Sequence, residues 1–210
     1  LAAKIQAGKT LKELGFTVEK TVTHIAVKEA VFPFIKFPGV DPVLGPEMLS
    51  TGEVMGIDSD FAMAFAKSQM AAGNTLPEKG CVFVSVKEDD KQKAVELSME
   101  LHKMGFKLVA TKGTCLELVK NNIPSEFVLK LSDGSPNIVD LINSHSIDFI
   151  INTSEDHKSL MDSFHIRRSA LDKGIPYVTT KRAASAVVQA IKRMKKSPMD
   201  VKPLQDYYKK

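Results

Sequence analysis

Between an apolar run ending at Ala110 and a helix-spaced apolar pattern beginning at Cys115 lie Thr111, Lys112, Gly113 and Thr114. Two hydroxyls, an ammonium and a glycine in a strand-to-helix turn suit an anion. A helix N-terminus offers unpaired N–H groups and partial positive charge. Gly113 lets a ligand approach the backbone, and the threonines add donors. The plain alternative is that Thr111 or Thr114 only caps the helix. For this stretch taken alone, that alternative is the stronger. The pattern recurs elsewhere in the chain. Ser85 lies near the end of CVFVSV and the loop to Lys91 follows it, Lys130 lies near the end of FVLKL, and Asn152, Thr153 and Ser154 end or follow DFIIN. Thr179 and Thr180 close PYVTT. This set is rich in hydroxyls, poor in carboxylates, and carries Lys91 and Lys130 as point charges. Taken together it favours a phosphate.

Other reactive residue types give weaker signals. His157 and His165 lie near Glu155, Asp156 and Asp162, but the spacing fits no usual metal-ligand set. Cys81 and Cys115 are the only cysteines and form neither a CxxC nor a disulfide framework. Cys115, within CLEL, reads as a small buried hydrophobe. Arg167 and Arg168 open a helix, where they could clamp an anion, face another subunit or lie in solvent. The chain has no GxGxxG and no GxxxxGK[ST]. Asn-Thr-Ser at 152–154 matches a glycosylation pattern only by chance, since it follows a buried strand. No catalytic residue and no metal ligand is assigned.

The elements that must position the polar set alternate. From residue 81 onward, apolar runs at 81–86, 107–110, 127–131, 148–152 and 176–180 are separated by helical periods. One helical face carries Ala94, Leu97, Leu101 and Met104, with Gly105 as its stop. Such alternation predicts an α/β fold, a doubly wound parallel sheet with helices on both faces and right-handed crossovers. In that architecture ligands bind beyond the carboxyl ends of the strands, where the polar set falls. The stretch 1–76 differs, with Pro and Gly scattered through FPFIKFPGVDPVLGPEM. A linker-like stretch at 73–79 separates it from 77–210. LAAKIQAGKTLKELGF reads as an amphipathic helix, not a cleavable leader, and the absence of an initiator Met suggests a piece of a longer chain.

Bulk properties narrow the partners. The 210 residues are 43 % hydrophobic and 26 % charged, ordinary values for a globular protein. No apolar stretch nears the roughly 18 residues of a membrane span. The net charge of +4 comes largely from the basic tail, and without Trp there is no interleaved aromatic and basic pattern for stacking bases. Anionic small molecules fit better than nucleic acid or a membrane, and cysteine usage suits a reducing, cytoplasmic setting.

Longer motifs carry a resemblance. VKEAVFPFIKFPGVDPVLGPEMLSTGEVMG resembles the end of the carbamoyl-phosphate-forming ATP-grasp half of the carbamoyl phosphate synthetase large chain. GCVFVSV, GFKLVATKGT, INTS and IRRSAL, in that order, resemble its regulatory domain, which has the methylglyoxal-synthase-like fold. The resemblance implies a partial ATP-grasp segment over 1–76, with apolar surface left open, and an allosteric domain over 77–210. It implies nucleotide monophosphate effectors, UMP or IMP, held by Lys91, Thr111, Thr114, Lys130, Asn152 and Ser154; some relatives have Thr at the last position. Ornithine would bind through Glu29, Phe32, Tyr177 and Thr179. Here Phe32 stands where the family has Leu, and Val178 replaces an acidic residue. It also implies a ligase that uses ATP with Mg2+ or Mn2+, whose nucleotide- and metal-binding carboxylates lie upstream of this chain. No cofactor is expected in this stretch. The expected partners are the remainder of the large chain, a glutaminase small subunit and further copies in a homo-oligomer. Two alternatives are a stand-alone lyase like methylglyoxal synthase and a purely structural oligomerisation module. The lyase needs a carboxylate base and a His, and the run after 152 lacks that family's HPHD-like pattern.

Overall fold

The computed structural model describes residues 1–19, 21–32, 52–153 and 157–207. Five strands, β3 (Cys81–Ser85), β4 (Lys107–Ala110), β5 (Glu126–Phe127), β6 (Phe149–Asn152) and β7 (Tyr177–Val178), form one sheet in the order β5-β4-β3-β6-β7. Every pairing is parallel, with Val82 opposite both Leu108 and Phe149. Upstream lie α1 (Ala2–Gln6), the antiparallel pair β1 (Ile25–Val31) and β2 (Gly52–Asp58), and α2 (Phe61–Ala71). Between and after the parallel strands run α3 (Lys91–Lys103), α4 (Lys112–Lys120), α5 (Ile138–Asn143), α6 (His157–Asp172) and α7 (Lys181–Lys196).

The period-2 alternation of the strands sorts their side chains onto two cores. Val82, Val84, Leu108, Ala110, Phe149 and Ile151 pack with Leu97 and Leu101 of α3, Leu118 of α4, and Val187 and Ile191 of α7. Phe83, Val109 and Ile150 face the other way, onto Ile138 and Ile142 of α5 and Ile166 and Ala170 of α6. The sheet is therefore covered on both faces, as all-parallel sheets require. The doubly wound α/β fold expected from the sequence is the fold observed.

Local chemistry sets the helix limits. Asn137 and Asp140 form a reciprocal capping box at the start of α5, and the Thr180 side chain accepts from the Ala183 N–H at the start of α7. Gly105, at φ +90°, ends α3 and lets the Phe106 N–H donate to the Leu101 carbonyl.

Five sequence expectations change. α6 begins at His157, so Arg167 and Arg168 lie within it and do not open it. The run 127–131 is not a full strand. The chain leaves the sheet edge after Phe127, and the Leu129 carbonyl accepts from the Ile138 N–H beside α5. The last strand is only Tyr177–Val178, because Thr180 turns away to cap α7. α4 starts at Lys112, so Lys112 and Gly113 belong to its first turn. The N-terminal stretch is not one helix, since α1 stops at Gln6 and Gly8 takes φ +92°.

The first core also crosses the expected boundary near residue 76. Met63 and Ala66 of α2, together with Leu76, pack into the same cluster as the sheet and α7. α2 lies close on β2 at Gly56, where an added Cβ would sit 2.0 Å from the Ala64 carbonyl oxygen.

Candidate functional site

β3 is the topological switch point: the chain continues to β4 on one side, and β6 joins later on the other. A crevice of about 460 Å³ opens at the carboxyl ends of these strands. Its lining includes Ser85 from β3, Thr111 to Thr114 after β4, Lys130 beyond β5, and Asn152 with Thr153 at the end of β6.

A hydroxyl network ties the strand ends together. Thr111 Oγ1 donates to Ser85 Oγ at 3.1 Å. The Val86 N–H donates to Thr114 Oγ1 at 3.4 Å, and the Lys87 N–H to Thr153 Oγ1 at 3.1 Å. The capping alternative for Thr111 fails in its usual form: Thr111 is the N-cap residue of α4, but its side chain makes no cap bond. The first turn of α4, Lys112 to Thr114, therefore lines the crevice without a side-chain cap from Thr111. Lys91, the first residue of α3, reaches over that turn. A Cβ on Gly113 would lie 3.6 Å from Lys91 Nζ, in ordinary contact, which places the ammonium over that turn. Lys130 precedes the short 3-10 turn Leu131–Asp133. Asn152 is only 3 % exposed, and its Nδ2 has no hydrogen-bond partner among the described residues. A buried amide donor left open in a crevice has room for an acceptor from a ligand.

The expectation of few carboxylates is corrected. Glu88, Asp133 and Asp162 line the same crevice. Glu88 pairs with Lys91 at 2.5 Å. Ser132 Oγ donates to Asp162 Oδ2 at 3.1 Å. These acids follow the strand ends by several residues or come from α6, so a list of residues next to each apolar run passes over them.

Of the six residues expected to hold an effector, Lys91, Thr111, Thr114, Lys130 and Asn152 line one crevice. Ser154 lies outside the described residues. Glu29, Phe32, Tyr177 and Thr179 do not line it. Glu29 sits on β1, where burial pushes its carboxyl above the usual range and a hydrogen bond with the Gln69 side chain partly offsets this. Tyr177 is on the edge strand β7, with Thr179 just beyond. Sequence reasoning missed Ser163 and Ile166, which line the crevice from α6. Ser163, Ile166, Arg167 and Ala170 are all buried, and their i, i+3, i+4, i+7 spacing was a readable signal. Arg167, at 3 % exposure, is therefore not on a solvated face, and Arg168 pairs with Asp172 at 2.8 Å.

Cys115 is buried with its Sγ donating to the Ser125 carbonyl, as a structural thiol would. Burial, followed by Asp148 and Glu126, pushes the Cys81 thiol up to about 11, which makes it a poor nucleophile. Among the described residues no group of three His, Cys, Asp or Glu side chains is arranged to hold a metal ion. No helix among them is long and apolar enough to cross a membrane.

Comparison with known proteins assigns the fold. Residues 93–179 match the family model described as the MGS-like domain, a span that runs from α3 to just past β7. The carbamoyl phosphate synthase large chain of Myxococcus xanthus is 52 % identical over 207 residues, covering 99 % of this chain and 19 % of that protein. The large chain of Archaeoglobus fulgidus is 49 % identical over 209 residues, and that of Nostoc sp. is 51 % identical over 207, with the same shares covered. This chain thus spans about a fifth of the length of the curated relatives it matches. Along nearly all of its own length it is similar to a section of the carbamoyl phosphate synthase large chains, and residues 93–179, within the five-stranded unit, match the MGS-like domain.

Proposed function

We propose that this chain is the regulatory end of a glutamine-hydrolysing carbamoyl phosphate synthase large chain, and that its crevice binds a nucleoside monophosphate such as UMP or IMP. The observation that carries the reading is convergence at the switch point. Lys91, the uncapped first turn of α4, Lys130 and the open Asn152 amide all line one crevice. In this reading the phosphate oxygens accept from the α4 N–H groups and from Asn152 Nδ2. Lys91 and Lys130 supply charge, Thr111 and Thr114 supply hydroxyls, and Ser154 completes the set. Val128 and Ile166 give the crevice apolar wall for the rest of the nucleotide.

Ornithine is assigned to Glu29, Phe32, Tyr177 and Thr179, near the join between a partial ATP-grasp segment at 1–76 and an allosteric domain at 77–210. The larger protein would use ATP with Mg2+ or Mn2+ and act with a glutaminase small subunit and further copies of itself in the cytoplasm. It would feed pyrimidine and arginine synthesis.

Calorimetric titration with UMP, IMP and ornithine tests the reading. UMP or IMP binds in the millimolar range or tighter. An ammonium–phosphate hydrogen bond contributes about 1.5–3 kcal/mol, so Lys130→Ala weakens nucleotide binding roughly tenfold to a hundredfold. Salt weakens the wild type more than Lys130→Ala, because a charge pair is screened. Thr114→Val costs less, since the helix N–H groups stay in place. Equal affinity and equal salt dependence in Lys130→Ala would remove Lys130 from the site.

A further inference from the structure

Glu88 has no part in the reading above, yet it stands against Lys91, one of the lysines that line the crevice. Its Oε2 lies 2.5 Å from Lys91 Nζ. The Lys91 side chain is 22 % exposed and the Glu88 side chain 80 %, so the ammonium is set into the crevice while the carboxylate reaches it from solvent. Lys91 Nζ in turn lies over the first turn of α4 at Gly113. The backbone that carries Glu88 is fixed on both sides. The Lys87 N–H donates to Thr153 Oγ1, and Asp90, at 5 % exposure, pairs with Lys181 at 3.0 Å. The other two acids of the crevice are placed differently: Ser132 Oγ lies 3.1 Å from Asp162 Oδ2 and 3.5 Å from Asp133 Oδ1, and can donate to either.

We propose that Glu88 is a tethered counter-anion that holds Lys91 at the crevice, and that an entering phosphate must displace it. The proposal rests on the phosphate reading of the site. A carboxylate and a phosphate cannot share one ammonium at contact distance without repelling each other. Displacing an exposed partner costs little, because such pairs contribute on the order of 1 kcal/mol or less. The same cost falls on every anion that uses Lys91. A phosphate held by helix N–H groups, two lysines and Asn152 absorbs it. A monoanion with fewer contacts has less binding energy to offset it, so Glu88 lowers the occupancy of weak anions further by the same small factor.

The test uses the 210-residue chain, with inorganic phosphate and UMP titrated by calorimetry at low salt. Glu88→Gln is expected to tighten both by about threefold, the scale of an exposed ion pair. In a Lys91→Gln background the same change is expected to have no effect. Equal tightening in both backgrounds would mean diffuse repulsion and would overturn the proposal, as would no tightening at all. A second measurement needs no ligand. Acetic anhydride labelling of Lys91, read by mass spectrometry against Lys103, is expected to quicken in Glu88→Gln. Unchanged labelling would show that the pair is not held in solution. Faster labelling with no phosphate or UMP bound by any variant would leave the ion pair standing and remove both the phosphate reading and the competitor role.

Discussion

The two sheets of this molecule bury their strands to very different degrees. Every residue of β6 is buried, and helices cover both faces of the five-stranded sheet. In the β1–β2 pair only Gly56 is fully buried, and Met55 stays 54 % exposed. Met70 and Phe61 on the neighbouring α2 are also open. A two-stranded pair cannot bury enough surface to stand alone. Here it leans on α2, which leans on α7 through the first core. The five-stranded sheet is thus finished on both faces, whereas the pair keeps apolar side chains open to solvent.

The contrast can be broken from either side. The largest effect is expected inside the finished sheet. Ile150, fully buried against α5 and α6, should cost about 2–5 kcal/mol on replacement by Ala. Met70→Ala, at an exposed site, should stay within about 0.5 kcal/mol, and thermal melts of the two variants measure the gap. Next comes Gly56→Ala, which places a Cβ 2.0 Å from the Ala64 oxygen and should cost about 1–3 kcal/mol. Hydrogen exchange should show that loss in residues 52–71 and leave β3 and β6 protected. Uniform loss across both regions would make them one cooperative unit.

A smaller effect is expected at the tail. Tyr207 Oη donates to the Ile57 carbonyl at 2.9 Å, tying the chain's end to β2. Tyr207→Phe should cost about 0.5–1.5 kcal/mol by denaturant melt and should speed exchange in β2 before any other strand. The smallest effect belongs to Glu29. Its folded carboxyl titrates above its unfolded value because burial disfavours the charge. The folded state therefore gains relative stability below the unfolded pKa and loses it as pH rises through the folded one. Glu29→Gln should match or slightly exceed the wild type in Tm at neutral pH, with the difference fading as pH falls. A variant less stable at neutral pH would show that the charged form is favoured by its surroundings.

Much of this was legible in the sequence because apolar runs mark buried parallel strands directly. Residues 81–86 and 148–152 could hardly be anything else, and the rule that ligands sit past strand ends then picked out Thr111, Thr114 and Asn152. The method failed where that signal is shared. At the sheet edge, Phe127 is half exposed, so FVLKL looked like a strand although pairing stops after its first residue. The acids and Ser163 were missed because tertiary packing, not sequence adjacency, brings α6 over the strand ends. The division near residue 76 follows a real change in composition. Leu76 nevertheless packs into the first core, and a change of composition cannot reveal a shared interior.

The strand order has a consequence for how the chain comes into being. β3 is the central strand of its sheet and the first of the five to leave the ribosome. One neighbour, β4, follows soon after, but the other, β6, begins only at Phe149. At a synthesis rate of about 5–20 residues per second, the roughly 60 intervening residues take on the order of several seconds. During that time Val82, Phe83 and Val84 present one unpaired edge of an apolar strand. A nascent chain of this order therefore spends seconds as a half-sheet, and that is the interval in which a chaperone has the most to shield.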